Sequence, residues 1–261
     1  MASSIRQYFD NRFSVLNLSA NMLPFFHTCD AFFFRSILTE KKLIPTKCNV
    51  FENENLLYLF YGRPAYKSSN LTSSRLNSLL PVSFILRSDF TEKIKRITPF
   101  DTGAFQRGLY KDYIHPGMQV DNFFLTPNKE AIKKTISYFF DTNEAYFMGR
   151  ATNNILYDPI DFEIESYYNL IKGVAQSAVD DRKATIEVQL ECDFRLTFSS
   201  VEAVILPQNF LSSKVVEDTI RKELNADIIT YESFGIPSPL YYSQMLELTK
   251  QYLIKKACLH G

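Results

Sequence analysis

The sequence predicts an α+β fold in a single domain spanning residues 1–261, and three observations lead to that prediction. Short apolar runs typical of strands are interspersed with segments whose apolar residues recur at helical spacing. The chain contains 23 Phe and 15 Tyr but only 8 Gly, which favours strands packed with aromatic side chains over a glycine-rich dinucleotide-binding sheet. No internal repeat and no low-complexity linker divides the sequence.

The first third of the chain predicts two helices and three strands. Helical spacing of apolar residues predicts a helix over 4–16 and a second helix that starts after Asp30, a candidate N-cap. The second helix is expected to end near Lys42, since Pro45 cannot continue it. Continuous apolar runs predict the strands, at residues 23–27, 56–61 and 80–86.

The rest of the chain predicts more helices and strands, separated by loops. Residues 67–77 and 99–116 are expected to form loops because they are rich in Ser and Asn or in Gly and Pro, and residues 90–95 a helical turn. Helices are predicted at 128–140, 167–177, 212–224 and 238–256. Strands are predicted at 184–190, where apolar and polar residues alternate, and at 201–206 and 228–231.

Composition and charge narrow the class of protein. Lys plus Arg equals Asp plus Glu at 29 each, so no net charge attracts the chain to nucleic acid. A local patch of basic residues is the alternative by which it could bind nucleic acid. The four cysteines have no CxxC spacing, which argues against a zinc site, and no metal is expected. We expect a cytoplasmic protein with reduced thiols, because the sequence has neither a signal-peptide-like stretch nor 18 consecutive apolar residues.

Three segments carry the functional argument, because GxSxG, P-loop, GxGxxG and HExxH motifs are missing from the sequence. The first is Phe26-His27-Thr28, followed by a helix with Ser36-Ile37-Leu38 and a turn to Leu43-Ile44-Pro45. The second is the strand and turn at residues 58–66, which contains Tyr61-Gly62-Arg63-Pro64. The third is Thr185-Ile186-Glu187-Val188-Gln189, with a hydrophobic strand at residues 201–207 downstream.

In this layout the chain resembles the ADP-ribosyltransferase superfamily, and most closely its DarT-like branch of nucleic-acid-modifying toxins. The resemblance extends over residues 25–207 and departs at Lys41 and Lys42, where such families often have Gly. It implies a split mixed β-sheet with flanking helices and NAD as the ADP-ribose donor. It also implies transfer to a base of single-stranded RNA or DNA, and an antitoxin protein as a partner.

Glu187 is the predicted catalytic carboxylate. Transfer of ADP-ribose breaks the bond between nicotinamide and C1′ of the ribose, through a transition state that resembles an oxocarbenium ion. A carboxylate stabilises that positive charge and acts as a base toward the acceptor. Strand alternation places Glu187 on one face with Thr185 and Gln189. The alternatives are that Glu187 is a solvent-facing strand residue, and that Glu191 or Glu202 is the catalytic group.

Arg63 is predicted to serve both catalysis and NAD binding. It ends an apolar strand, and the planar fork of a guanidinium suits a pyrophosphate. The alternative is a charged residue in a surface turn. Strand parity puts Tyr58 and Tyr61 on opposite faces, so we expect one of them to stack on nicotinamide, as the aromatic of the family does, and the other to lie in the core.

Four further polar side chains are candidates for the site, some from the resemblance and His115 from its loop. His27 is expected to hydrogen-bond the adenosine ribose, and Thr28 to contact the cofactor from the same segment. His115, in a loop with Gly and Pro, and Arg182, in the loop before the catalytic strand, are candidates for binding the acceptor substrate. The alternatives are a structural histidine at a strand end for His27 and a solvated turn for Arg182.

Aromatic residues next to cations suggest a surface for the acceptor. Phe105, Tyr110 and Tyr113 lie close in sequence to Arg107 and Lys111, and such a set can grip unstacked bases with few local charges. The alternative is that these aromatic side chains pack their loop onto the core.

Two functions of different classes fit these residues. The first is an NAD-dependent ADP-ribosyltransferase acting on a nucleic-acid base, on a protein side chain or on water. The second is a catalytically silent module that keeps the fold and binds a partner or a nucleotide. The combination of His27, Arg63 and Glu187 favours the enzyme, because a silent module has no need of all three.

Overall fold

The computed structural model describes residues 7–15, 17–18, 21–65, 76–173 and 182–260, and these ranges hold ten strands and seven α-helices. The strands are β1 (Phe25–Asp30), β2 (Lys42–Leu43), β3 (Thr46–Lys47), β4 (Asn55–Tyr61), β5 (Pro81–Leu86), β6 (Ile94–Thr98), β7 (Glu187–Leu190), β8 (Phe194–Arg195), β9 (Val201–Pro207) and β10 (Asp227–Tyr231). The helices are α1 (Ala31–Glu40), α2 (Thr102–Gln106), α3 (Lys129–Phe139), α4 (Asn143–Phe147), α5 (Phe162–Lys172), α6 (Lys214–Asp218) and α7 (Tyr242–Lys255). The predicted mixture of helices and strands is confirmed.

The chain folds as two compact units. The first comprises Met1–Met22, Cys48–Glu54 and Ile94–Gln189, and the second comprises Leu23–Lys47, Asn55–Lys93 and Leu190–Gly261. The chain crosses between the units several times, so neither is a simple N-terminal or C-terminal half. The assignment of all 261 residues to one domain stays a prediction. In the described part of the chain, no helix has the length and apolar character needed to cross a membrane.

A mixed sheet forms the centre of the second unit. Its strands lie in the order β10-β9-β5-β1-β4, and β3 also pairs with β4. Strands β9 and β10 run parallel, whereas the β1–β4, β1–β5, β5–β9 and β3–β4 pairs are antiparallel. All six residues of β5 are buried, which explains why all of them except Ser83 are apolar.

Helix α1 follows β1 directly and packs against the sheet of the second unit. Asp30 occupies the predicted N-cap position, with an extended backbone, and the helix ends at Glu40 as Lys41 adopts a left-handed φ of 51°. Phe34 and Leu38 are its buried apolar side chains, and the Phe34 ring lies 5.9 Å from that of Phe84 in β5. The helix thereby places its following turn beside strand β4.

The first unit has a core of aromatic side chains, which the composition predicts. The Phe139 ring on α3 lies 4.7 Å from Tyr167 on α5 and 6.0 Å from Phe9. The Phe100 ring lies 5.1 Å from Phe123. All five side chains are fully buried, and several ring pairs meet edge to face, an arrangement that adds to the area they bury.

The predicted helix over residues 4–16 is wrong in the part that the structure describes. A single 3₁₀ turn forms there, at Phe9–Arg12, and Phe13 has an extended backbone. The Asp10 carboxylate accepts hydrogen bonds from the backbone N–H of Thr126, at 2.6 Å, and from its hydroxyl. These tertiary contacts, together with burial of Phe9, hold the segment in a turn and override its helical spacing.

Several other boundaries differ from their predictions. The helical turn expected at 90–95 is replaced by β6, and the strand expected from residue 184 starts at Glu187, after a 3₁₀ turn at Arg182–Ala184. Helix α5 begins earlier than expected, at Phe162, and residues 66–75 and 174–181 lie outside the described residues. The helix predicted at 212–224 is divided into α6 and a π-helical turn at Thr219–Glu223.

Candidate functional site

A cavity of about 450 Å³ opens in the second unit beside helix α1. Apolar side chains form most of its wall, namely Phe33, Ile37, Leu43, Ile44, Leu56 and Leu57. Two of the predicted NAD ligands, His27 and Tyr58, border the same cavity although they come from different strands. Small-molecule sites usually have this size, and their walls are usually apolar with a few polar groups, as here.

His27 is held in one tautomer by strand β4. Its Nδ1 lies 3.1 Å from the carbonyl oxygen of Tyr58, and because a carbonyl only accepts, Nδ1 carries the proton and donates it. Burial lowers the pKa of His27, and the bond to Tyr58 opposes this only in part, so the ring is neutral near pH 7. Nε2 is then a hydrogen-bond acceptor, which suits a ligand hydroxyl group.

The two tyrosines of β4 occupy different environments. Tyr61 is completely buried, its ring centroid lies 5.3 Å from that of Phe25, and its hydroxyl accepts a 2.8 Å hydrogen bond from the N–H of Leu23. Tyr58 is half-buried and borders the cavity. Tyr61 is therefore a core residue, and of the pair only Tyr58 is placed where a ligand in the cavity can touch it.

The neighbours of His27 on β1 differ in what they can contribute. Thr28 pairs with Ser83 across the sheet, their hydroxyl oxygens 2.8 Å apart, and strand alternation puts it on the face opposite to His27. Cys29 shares the face of His27 and borders the cavity. Burial, with a further effect of Asp30, raises the pKa of the Cys29 thiol to about 12, so it is a protonated thiol rather than a nucleophilic thiolate at neutral pH.

Arg63 lies inside the protein rather than in a surface turn. Only 1% of the residue is exposed, so the alternative of a charged residue in a surface turn is wrong. Gly62, just before it, has a φ of 68°, which a glycine adopts without strain, and donates its N–H to the carbonyl of Pro24 at 2.9 Å. This turn directs the chain back toward the interior of the second unit.

Glu187 begins strand β7 in the first unit and is held by three hydrogen bonds. Thr102 donates its hydroxyl to Oε1 at 2.7 Å and its backbone N–H to Oε2 at 3.2 Å. Gln189 donates from Nε2 to Oε1 at 2.6 Å. The residue is 1% exposed, so the interpretation of Glu187 as a solvent-facing strand residue is wrong.

The surroundings of Glu187 act on its charge in opposite directions. Burial and, to a smaller extent, the nearby carboxyl of Asp101 raise the pKa of Glu187 to about 8, while the bonds from Gln189 and Thr102 lower it. An ionised carboxylate only accepts hydrogen bonds, and Thr102 and Gln189 act as donors in all three hydrogen bonds to Glu187. These contacts therefore favour the ionised form. We therefore infer a group that changes its protonation near neutral pH, as a general acid or base must.

Arg182 forms a buried ion pair in the first unit. Its Nη1 lies 3.2 Å from Oδ2 of Asp101, and the two side chains are 7% and 9% exposed. Asp101 also caps helix α2 by accepting the N–H of Ala104 at 2.5 Å. The alternative of a solvated turn at Arg182 is therefore wrong. The pair holds Asp101 in the position from which it acts on Glu187.

His115 and the aromatic residues near it have other surroundings. His115 is exposed, and its Nδ1 accepts the N–H of Gly117 at 3.0 Å, so it acts within its own turn. Phe105 stacks on the buried Phe100 at 5.6 Å, and Tyr110 is buried against the same ring. Phe105 and Tyr110 thus pack their loop onto the core, which is the alternative to a base-stacking surface.

The other glutamates considered for catalysis are placed less favourably. Glu191 is exposed, and Glu202 is half-buried with Oε2 3.3 Å from the hydroxyl of Tyr252. The side chains next to Glu187 include Thr102 and Asp101, for which the sequence indicated no catalytic role. Gln189 was visible in the sequence, since it lies two residues from Glu187 on the same strand face.

The predicted site residues fall into both units. His27, Thr28, Tyr58, Tyr61 and Arg63 belong to the second. The remaining three belong to the first, namely His115, Arg182 and Glu187. Among the described residues, no group of three or more His, Cys, Asp and Glu side chains is placed to hold a metal ion. Comparisons with protein-family models, with curated proteins and with solved structures find no match to this chain.

Proposed function

We propose that this chain is an NAD-dependent ADP-ribosyltransferase, in which His27 and Tyr58 bind the cofactor and Glu187 is the catalytic carboxylate. The observation that supports it is the shared cavity. His27 and one of Tyr58 and Tyr61 are predicted NAD ligands from two segments about thirty residues apart, and His27 and Tyr58 border the same recess in the second unit. Arg63 is 1% exposed and is not among the residues that border the recess, so its role as ligand of the pyrophosphate is proposed from the sequence alone.

The cavity has the chemistry that part of NAD requires. Its apolar walls accept a flat ring, nicotinamide or adenine, and the half-buried Tyr58 offers an aromatic surface for stacking. The Nε2 of His27 offers an acceptor for a ribose hydroxyl. Cys29 adds no competing nucleophile, because its thiol is protonated at neutral pH.

In the proposed reaction, nicotinamide leaves C1′ of the ribose with the electron pair of the broken bond. The acceptor attacks the same carbon, and the proton that it loses passes to the Glu187 carboxylate. Only the ionised form of Glu187 can stabilise the positive charge and take this proton. With a pKa of about 8, the ionised fraction grows as pH rises through that value, so the rate is expected to rise with it.

Release of nicotinamide from NAD by the purified protein tests the proposal directly. The expected result is steady release that falls about 100-fold in Glu187→Gln. The thermal midpoint should also shift upward when NAD is added, since a ligand stabilises the folded state that binds it. The proposal would be contradicted if the protein released no nicotinamide and showed no thermal shift at millimolar NAD.

The acceptor is proposed from the resemblance to be a base of single-stranded RNA or DNA, and the chain to be a toxin restrained by an antitoxin protein. Among the described residues of the loop, the exposed cations Arg107 and Lys111 support this proposal. The aromatic side chains of Phe105 and Tyr110 do not, because they pack inward. Incubation with labelled NAD and separate RNA, DNA and protein pools tests it. Label found only on protein would exclude the nucleic-acid acceptor and leave the transferase in place.

A catalytically silent binding module is the second candidate, and the burial of Glu187 favours it. The carboxyl is 1% exposed and its two oxygens accept three hydrogen bonds within the first unit, as a structural group would. This candidate expects a thermal shift with NAD or another nucleotide but no nicotinamide release. The two readouts together therefore separate the candidates.

A further inference from the structure

The hydrogen-bond network around Glu187 continues to a charged side chain on the next strand. Arg96 lies on β6, which neighbours β7 in the sheet, and its Nη1 donates to Oε1 of Gln189 at 2.5 Å. Gln189 in turn donates from Nε2 to Oε1 of Glu187 at 2.6 Å. The side-chain amide of Gln189 therefore links the guanidinium to the buried carboxyl.

Arg96 decides which end of the Gln189 amide faces Glu187. A guanidinium has only donors, so the amide atom next to it has to be the carbonyl oxygen. The NH₂ group is then left to face Glu187, where it supports the ionised carboxylate. With the amide reversed, its oxygen would face the carboxyl, repel the ionised form and accept a hydrogen bond from the protonated form.

Arg96 is itself held on several sides. Its Nη2 lies 3.0 and 3.1 Å from the two carboxylate oxygens of Glu54, and its guanidinium carbon lies 3.8 Å above the Phe51 ring. Burial acts to raise the pKa of Glu54, but hydrogen bonds from Arg96 and Lys95 lower it below its usual value. The partner of Arg96 therefore stays ionised. A guanidinium so confined cannot turn away from Gln189 without losing these contacts.

We propose that Arg96 is a positioning residue, which orients the Gln189 amide so that its NH₂ group stabilises the ionised form of Glu187. The inference rests on the proposed function for its consequence in catalysis, but the orientation itself concerns only the first unit. The other charged group that acts on Glu187 is Asp101, paired with Arg182, and it works in the opposite direction.

The test measures the titration midpoint of Glu187 by carbon NMR of protein labelled in its Glu side chains, with Glu187→Gln to assign the signal. In Arg96→Met the midpoint is expected to rise by about one pH unit, a tenfold change in proton affinity, because the amide is free to reverse. Lys95→Met is the matched control, since it removes a cation from the same Glu54 carboxylate and leaves Arg96 on Gln189. Its midpoint is expected to stay unchanged.

A double substitution separates positioning from a simple effect of charge. In a Gln189→Leu background there is no amide to orient, so Arg96→Met is expected to cause no further rise. An equal rise in both backgrounds, or none in the parent background, overturns the proposal. If Arg96→Met does not fold, Arg96→Lys replaces it, with an expected rise of about threefold in proton affinity, because an ammonium lacks the fork that holds Gln189 and Glu54 together.

Nicotinamide release adds the catalytic readout. In Arg96→Met the pH profile of kcat is expected to move to higher pH by the same amount as the NMR midpoint, whereas KM for NAD stays the same. If the parent protein releases no nicotinamide, the proposed function fails while the NMR comparison still decides the role of Arg96. If it does release nicotinamide and the profile does not move, the role in catalysis is overturned.

Discussion

The cavity of the second unit and the Glu187 network of the first unit place polar groups in apolar surroundings in opposite ways. In the cavity, His27 keeps Nε2 as an acceptor beside a recess that borders Tyr58. Around Glu187, three donors of the protein already bind the two oxygens of a buried carboxyl. The first region has room for a ligand, and the second has its hydrogen bonds satisfied by the protein itself.

This difference suggests a division of labour between the two regions. A recess with an open acceptor selects what binds, whereas a buried and hydrogen-bonded carboxyl controls the charge of one group. Substitutions in the cavity should therefore change affinity, and substitutions in the network should change stability, its pH dependence and the chemical rate. The predictions below test that separation.

The largest expected effect is on the pH dependence of stability. The pKa of Glu187 rises from 4.5 to about 8 on folding, so its contribution to stability is complete below pH 4.5 and is lost as pH rises through 8. Relative to Glu187→Gln, the parent protein should lose up to about 5 kcal/mol across that window. Urea titrations at several pH values measure it, and parallel curves for the two proteins would contradict the raised pKa.

The ion pair of Arg182 and Asp101 should come next. Arg182→Met leaves the Asp101 carboxyl buried without its partner at 3.2 Å, and we expect a loss of about 3 kcal/mol or more in the free energy of unfolding. The double variant with Asp101→Asn should recover a large part of the loss, since no buried charge then remains. Additive losses in the double variant would show that the two side chains do not act as a pair.

Glu187→Gln is expected to lower the rate of nicotinamide release by about 100-fold, or about 2.7 kcal/mol of barrier, because the amide cannot stabilise the positive charge. The affinity for NAD should change little. Glu191→Gln is the matched control, an exposed glutamate four residues further on, and should keep the parent rate. A Glu187→Gln protein as fast as the parent would remove Glu187 from the mechanism.

The smallest effect is expected in the cavity. His27→Phe keeps an aromatic ring but removes the Nε2 acceptor, and it should weaken NAD binding about tenfold, the value of one hydrogen bond of about 1.4 kcal/mol. Calorimetric titration gives the affinity, and the stability curve should keep the pH dependence of the parent. A change in the rate of the bound complex without a change in affinity would contradict the assignment of this region to binding.

The sequence predicts those parts of the fold whose signals are local. Strand β5 is a largely apolar run, and helix α3 begins at Lys129, one residue from its predicted start, with the Asn128 side chain accepting the N–H of Ala131. Both elements form where expected. The short strands β2 and β8 were missed, because two residues that pair only with each other leave no periodic pattern.

The site is harder to predict because its environment is assembled from distant residues. Glu187 accepts hydrogen bonds from Thr102, which lies 85 residues away in the sequence. Arg96 donates to Gln189, which lies 93 residues away. The alternation around Glu187 shows which residues share a face but not that this face is covered, so burial of the carboxyl was not foreseen. For Arg63 the sequence kept a surface turn as the alternative, because a turn with Gly and Pro does not show whether the rest of the protein covers it.

The pairing of β5 with β9 has a consequence for synthesis of the chain. Ser83 pairs with Ile205, so 122 residues (205 minus 83) are made between the emergence of the two partners. At ribosomal rates of about 5–20 residues per second, one edge of this largely apolar strand stays unpaired for about 6–24 seconds before its neighbour has been made. Nascent chains in that interval present a ready edge for wrong pairing, and slower translation lengthens the interval in which a chaperone is needed.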